Sequence, residues 1–148
     1  GVDNMEIKSS NSLESSVYKD ALALRKEVFI MEQGVSLELE VAGEKGPLYF
    51  TGYLDELPVA TARAFEEEPG VWHIQRVAVK KEHRGQGLAS ELLNGIEVSA
   101  RDHKINTLTL GAQDQAQAFY KKLGYQVVGE GFMEAGIAHH RMDKSLLS

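Results

Sequence analysis

Cysteine is absent from the 148 residues, which excludes disulfides, thiolate catalysis and every Cys-based zinc or iron–sulfur centre. A chain without cysteine suits a reducing compartment, and the cytoplasm is the expected location. No apolar run approaches the roughly 20 residues a membrane-spanning helix requires, so no membrane partner is expected. The opening residues Gly1-Val2-Asp3-Asn4-Met5 lack the basic-then-apolar pattern of a secretory leader. Positive charge is also in deficit. With 16 Lys and Arg against 22 Asp and Glu the formal charge is −6, which argues against nucleic acid as a partner. Internal repeats, low-complexity tracts and linkers are missing too. What remains is a globular composition, 43% hydrophobic and 26% charged, of a length for one domain over residues 1–148 with its own core.

The apolar pattern alternates between strand-like and helix-like stretches. Met5 to Lys8 reads as a short strand. Leu13 to Met31 reads as a helix through Tyr18, Ala21, Leu22, Arg25, Val28 and Phe29, with Gly34 as its stop. Ser36 to Pro47 reads as a loop. Leu48–Leu54 and Val59–Phe65 form a hairpin about Asp55-Glu56-Leu57-Pro58, and Val71–Val79 follows a turn at 66–70. A helix is expected over 87–103 and a strand over Thr107–Leu110. A short helix then carries Ala116, Phe119, Tyr120 and Leu123 on one face, with Gly124 at its C-cap. Tyr125–Val128 and Ile137–Met142 complete the strands. The fold class is α/β on a mixed (α+β) sheet, antiparallel in its first half, with helices on both faces.

One turn concentrates the chemical signal. Val77-Ala78-Val79-Lys80-Lys81-Glu82-His83-Arg84-Gly85-Gln86-Gly87-Leu88-Ala89 runs from an apolar strand, through a basic turn, into a helix start. A helix N-terminus exposes unpaired N–H groups and the positive end of the dipole. Glycine at 85 and 87 removes side chains that would hold an anion away, and Lys80, Lys81 and Arg84 flank the turn. This reads as a cradle for a diphosphate, ahead of the alternative, an ordinary strand-to-helix turn that uses glycine for tightness. The acids lie elsewhere, at Glu38, Glu40, Glu44 and Glu66-Glu67-Glu68, and read as solvated loops. A dinucleotide fingerprint fits poorly, because position 90 is Ser and Leu110-Gly111-Ala112 ends its strand without an acid. No Gly-Lys-Ser/Thr triplet supports a P-loop either.

Arg84-x-x-Gly87-x-Ala89 after Val77-Ala78-Val79 resembles the acyl-CoA signature of the GNAT superfamily of N-acetyltransferases. Gln113-x-x-Ala116-x-x-Phe119-Tyr120-x-x-Leu123-Gly124-Tyr125 resembles that family's second signature, which usually carries Asn where this chain has Gln113. Leu24-Arg25-x-x-Val28-Phe29-x-x-Glu32-Gln33, with Gly136-Ile137-Ala138-His139, looks like the ElaA/YjcF-like branch. The resemblance implies the GNAT-type acyl-CoA N-acyltransferase fold and acetyl-CoA as co-substrate. It places the pantetheine arm against Val77, Ala78 and Val79, and the pyrophosphate on the amides of Arg84, Gly85, Gln86, Gly87, Leu88 and Ala89. Ser90 could add a hydroxyl, and Gln113 a contact to the cofactor arm.

Acetyl transfer to an amine requires a neutral nucleophile, a polarised thioester and a proton for the departing thiolate. By resemblance Tyr120 supplies that proton. The strand 71–79 offers His73 and Gln75 but no carboxylate, so the base is open among His73, Glu32 and His139. His73, alternating with Ile74 along its strand, reads first as a satisfied sheet histidine. Arg25, Glu32 and His139 are the candidate walls of the acceptor pocket. Arg25 either binds an anionic acceptor or pairs with an acid such as Glu32. His139 and His140 point to opposite faces of a strand, so no metal is expected. The expected activity is direct attack by a primary amine, on a small molecule or a peptide, within a ternary complex. A homodimer is open, since many relatives pair. The rival reading is a non-catalytic acyl-CoA-binding regulatory module on the same fold.

Overall fold

The computed structural model describes residues 5–32 and 46–147, with side chains described throughout except at 30–32. The expected stop at Gly34 and residues 36–45 of the expected loop lie outside them. The strands are β1 (Glu6–Ser10), β2 (Leu48–Leu54), β3 (Leu57–Glu68), β4 (Val71–Val79), β5 (Thr107–Gln113), β6 (Gln126–Glu134) and β7 (Ile137–Ser145). The helices are α1 (Ser16–Arg25), α2 (Leu88–Asp102) and α3 (Gln117–Lys122). The strands hydrogen-bond in the order β1-β2-β3-β4-β5-β7-β6, one mixed seven-stranded sheet. Its packing divides the chain into two compact units, Gly1–Phe65 with Arg76–Ile96, and Glu66–Gln75 with Glu97–Ser148.

In the first unit β1 and β2, and β2 and β3, pair antiparallel. Ser15 starts α1 by accepting from the Tyr18 amide at 3.1 Å. The helix lies over the face that carries Tyr49 and Thr51, where the Thr51 hydroxyl donates to the Val17 carbonyl at 2.8 Å. The opposite face carries Ile7, which α2 approaches so closely that a Cβ on Gly95 would lie 2.5 Å from Ile7 Cδ1. Helices therefore cover both faces here. The middle of β3 is buried on both sides from Val59 to Ala64, which explains its run of small residues.

In the second unit β4 and β5 pair parallel, Val71–Ile74 against Thr107–Leu110, while β5–β7 and β6–β7 pair antiparallel. One face carries Trp72, Ile74, Leu108, Leu110 and Met142, all buried. The end of α2 covers it, with Lys144 bonding Glu97 at 2.9 Å and Trp72 against His103 at 5.2 Å. The other face is polar.

The structure departs from the expected elements in instructive ways. The helix predicted to Met31 keeps α-helical bonding only to Arg25 and widens into a π-helical segment over Lys26–Glu32. The hairpin turn contracts to Asp55-Glu56, both at positive φ (48° and 67°), so β3 starts at Leu57. The strand also runs to Glu68, which moves Glu66-Glu67-Glu68 out of the expected loop. The last two strands extend to Glu134 and Ser145 and meet at Ala135-Gly136 (φ 52° and 75°). Every residue of β6 is exposed, so its sequence lacks the alternation that marks a half-buried strand.

Candidate active site

The turn between β4 and α2 takes the form its glycines predict. Lys81–His83 makes one 3₁₀ turn, and Gly85 and Gly87 sit at φ 80° and 79°. This left-handed conformation disfavours any other residue except Asn or Asp. Among the described residues a Cβ at either glycine would meet nothing within 4 Å, so conformation rather than crowding demands glycine. The Gly87 carbonyl accepts the first helical bond, from the Glu91 amide at 3.1 Å. Gly87 is thus the N-cap, with no side-chain oxygen to offer the first turn. The amides of Leu88, Ala89 and Ser90 are the donors that an α-helix cannot satisfy internally. The base of the turn is braced. Arg84 Nε donates to the Val79 carbonyl at 3.0 Å, and the Lys80 amide donates to the Val59 carbonyl at 2.8 Å.

Just before the turn lies a feature with no sign in the sequence. Arg76 has φ 58°, an uncommon conformation for a side chain of this size in the middle of a strand. The kink interrupts the alternation of β4: Trp72, Ile74 and Ala78 are buried, whereas Val77 and Val79 are only half-buried. Local backbone strain of this kind costs about 1–3 kcal/mol and concentrates at functional sites.

Arg25, expected to wall an acceptor pocket, is 1% exposed at the end of α1, and Arg63 is 4% exposed on β3 opposite Tyr49. Burial, then the charge of Arg25, lowers the Arg63 pKa, and Arg76 adds to that against a hydrogen bond with Tyr49. The first unit thus holds a cluster of guanidinium groups of which the sequence pointed only to Arg25. Glu32 closes the π-helical segment, and its side chain lies outside the described residues.

The polar face of the second unit gathers His73, Gln113 and His139. Register places His73 beside Thr109 and Thr109 beside Asp143, then Gly111 beside Arg141, then Gln113 beside His139. His73 Nδ1 lies 3.1 Å from Glu67 Oε1. The other carboxylate oxygen, Oε2, accepts from Arg141 Nη2 at 3.0 Å. Asp143 Oδ1 accepts from Arg141 Nε at 3.2 Å and from the Thr109 hydroxyl at 2.5 Å. Burial alone would lower the Arg141 pKa, but Asp143 and Glu67 outweigh it and hold it raised. The solvated-loop reading of the acidic run therefore fails at Glu67, which joins His73 to Arg141. His139 is buried, its Nδ1 2.7 Å from the Ile137 carbonyl and its ring stacked on Phe132 at 5.6 Å. A carbonyl only accepts, so that nitrogen carries the proton. His140 points the other way, to Asp114 at 2.6 Å, as adjacent strand residues must. Gln113 accepts from Gln115 Nε2 at 2.8 Å.

Tyr120 lies on the opposite side of this sheet. The end of α3 meets Lys144, whose Cε would lie 3.1 Å from a Cβ on Gly124, and Lys144 pairs with Leu108 on the apolar face. The Tyr120 ring packs edge-on against Phe119 at 5.0 Å and Tyr125 at 5.7 Å. Burial raises its pKa, so the phenol stays protonated at neutral pH and can donate. Within this unit Tyr120 and His73 stand on opposite faces. Among the described residues, no group of three or more His, Cys, Asp or Glu is placed to hold a metal ion, and no helix is long and apolar enough to cross a membrane.

This arrangement of sheet and turn is that of an acyltransferase fold, and comparison with known proteins agrees. Residues 17–146 match the acetyltransferase (GNAT) domain family. The chain belongs to this family. YjcF of Bacillus subtilis, an uncharacterized N-acetyltransferase, is 38% identical over 128 residues, 85% of this chain and 91% of that protein. Escherichia coli ElaA superimposes with a TM-score of 0.82 at 26% identity, covering 95% of this chain and 99% of ElaA. These two place the chain in the ElaA/YjcF-like branch. A GNAT family acetyltransferase from Elizabethkingia anophelis with acetyl-CoA bound shares the fold, with a TM-score of 0.76 at 15% identity over 98% of this chain and all of that one (100%).

Proposed function

We propose that this chain transfers the acetyl group of acetyl-CoA to a primary amine, on a small molecule or a peptide, in the cytoplasm. The observation that carries the reading is the α2 start behind Gly85 and Gly87, both at positive φ and, among the described residues, with nothing within 4 Å of a Cβ at either. Its first-turn amides suit a pyrophosphate. In this reading the backbone of Val77 to Val79 receives the pantetheine arm, with Gln113 as a further contact, and Arg25, Glu32 and His139 wall the acceptor.

The amine nitrogen attacks the thioester carbon and forms the C–N bond as the C–S bond breaks. His73 Nε2 takes a proton from the amine, and the Tyr120 hydroxyl gives one to the departing thiolate. Solvent then returns both side chains to their starting states. Support for Tyr120 comes from its place in the family signature and from its burial, which keeps the phenol protonated. Support for His73 as base comes from its contact with Glu67, because a carboxylate accepts from Nδ1 and leaves Nε2 as the ring's basic atom.

The test is twofold. Acetyl-CoA at a hundredfold excess over Kd stabilises the native state by about 2.7 kcal/mol, which raises Tm, and NADH gives no comparable shift. Thiol release against a panel of amines then reports turnover. A larger shift with NADH overturns the co-substrate assignment. Binding with no turnover on any amine favours the regulatory-module alternative.

A further inference from the structure

We propose that Glu67 is a positioning residue for acetyl transfer, fixing the His73 ring in the tautomer whose Nε2 accepts the amine proton. The inference rests on the reading of His73 as base.

Four strands and a turn converge to make this arrangement. Glu67 stands near the end of β3 and His73 on β4, with only Pro69-Gly70 between the strands. The turn itself is pinned, since Glu66 Oε2 accepts from the Gly70 amide at 2.9 Å and the Gly70 carbonyl accepts from the Asn106 amide at 2.9 Å. The two carboxylate oxygens of Glu67 have different partners, Oε1 to His73 Nδ1 at 3.1 Å and Oε2 to Arg141 Nη2 at 3.0 Å. Arg141 is itself fixed by Asp143, and Asp143 by Thr109, the residue directly beside His73 across the β4–β5 pairing. The chain of bonds therefore returns to the strand pair it started from. Glu67 cannot rotate away from His73 without giving up the charge-assisted bond to Arg141, and such bonds are about twice as strong as neutral ones.

The chemical consequence follows from the acceptor-only character of a carboxylate. While Glu67 is ionised, its partner nitrogen on His73 must bear the hydrogen, so neutral His73 is held as the Nδ1–H form. Free imidazole side chains prefer the Nε2–H form, which would offer the amine a donor where an acceptor is needed. Glu67 does not touch the reacting atoms in this scheme. It acts through the ring, as the buried carboxylate of a serine-protease triad acts on its histidine.

The experiment uses the full chain. Nitrogen-15 chemical shifts of the imidazole ring report the tautomer of each of the five histidines. In the wild type His73 is expected as Nδ1–H. In Glu67→Ala it is expected to revert to Nε2–H with the remaining four rings unchanged, and Glu67→Leu, which also lacks an acceptor, serves where the alanine variant does not fold. On an amine the wild type acetylates, Glu67→Ala should lower kcat by about 10²-fold, the low end for general acid–base catalysis, at unchanged KM for acetyl-CoA. His73→Ala should show a similar loss and the double variant no further loss, because residues acting as one unit are not additive. A wild-type His73 in the Nε2–H form, or losses that multiply in the double variant, overturns the inference. Full kcat in Glu67→Ala with a loss in His73→Ala overturns it while leaving the base reading intact. Full kcat in His73→Ala overturns the base reading and the inference together.

Discussion

Gly87 is the sharpest place to perturb the cradle, because two substitutions there isolate charge from shape. Asn and Asp have nearly the same size, and both tolerate the left-handed region that φ 79° requires better than other side chains do. Among the described residues no atom lies within 4 Å of a Cβ at this position. Both variants incur the same backbone strain, about 1 kcal/mol, and it cancels between them. What remains is one negative charge beside the first-turn amides of α2. At roughly 6 Å and an effective dielectric of about 40, intermediate between protein surface and water, each unit charge on the ligand is repelled by about 1.4 kcal/mol. That is a tenfold change in Kd per unit charge. Gly87→Asp should therefore bind CoA at least tenfold more weakly than Gly87→Asn, as read by calorimetric titration at low salt, and the gap should narrow as salt is added. Unaltered melting curves without ligand would establish that both variants fold alike. Equal CoA affinity for two folded variants would show that the phosphates bind elsewhere, and the cradle argument would be wrong.

Three further outcomes can be checked. Tyr120→Phe keeps the ring contacts to Phe119 and Tyr125 and removes only the hydroxyl, so kcat should fall by roughly 10²-fold with acetyl-CoA affinity unchanged, as single-turnover and binding measurements would reveal. Burial alone would raise the Glu97 pKa, but hydrogen bonds from Lys144 at 2.9 Å and Arg101 at 3.2 Å outweigh it and hold it below the ordinary 4.5. Its stabilising effect is complete above that ordinary value and is lost as pH falls through the lowered one. Glu97→Gln should accordingly cost about 1 kcal/mol at pH 7, with the difference disappearing in urea unfolding curves at pH low enough to protonate the wild-type carboxyl. Glu56, exposed at φ 67° in the β2–β3 turn, is a site where glycine relieves strain, so Glu56→Gly should raise stability by about 0.5–1 kcal/mol and Tm by a few degrees.

Features that depend on neighbours along the chain were legible in the sequence. The period of Leu88, Leu92 and Ile96 sets α2, all three being buried, and the glycines at 85 and 87 can be read from local φ requirements alone. Gly124 at φ 98° likewise ends α3 where the pattern predicts a C-cap. The two signature motifs identified the family for the same reason, since each is a short stretch with its chemistry written in consecutive residues. Tertiary structure decided what depends on register between strands. Glu67 and Arg141 are 74 positions apart, and nothing in the acidic run distinguishes Glu67 from its neighbours. Only the pairing of β4 with β5 and of β5 with β7 puts His73, Thr109, Asp143 and Arg141 on one face. The kink at Arg76 was illegible because arginine carries no preference for positive φ. The burial of Arg25 and Arg63 was illegible because charged residues are almost always exposed unless packing and partners from distant segments enclose them. A one-residue change of register would move every side chain of a strand to the other face. The cradle is thus written in the local sequence, whereas the set of residues gathered around His73 exists only once the strands are in register.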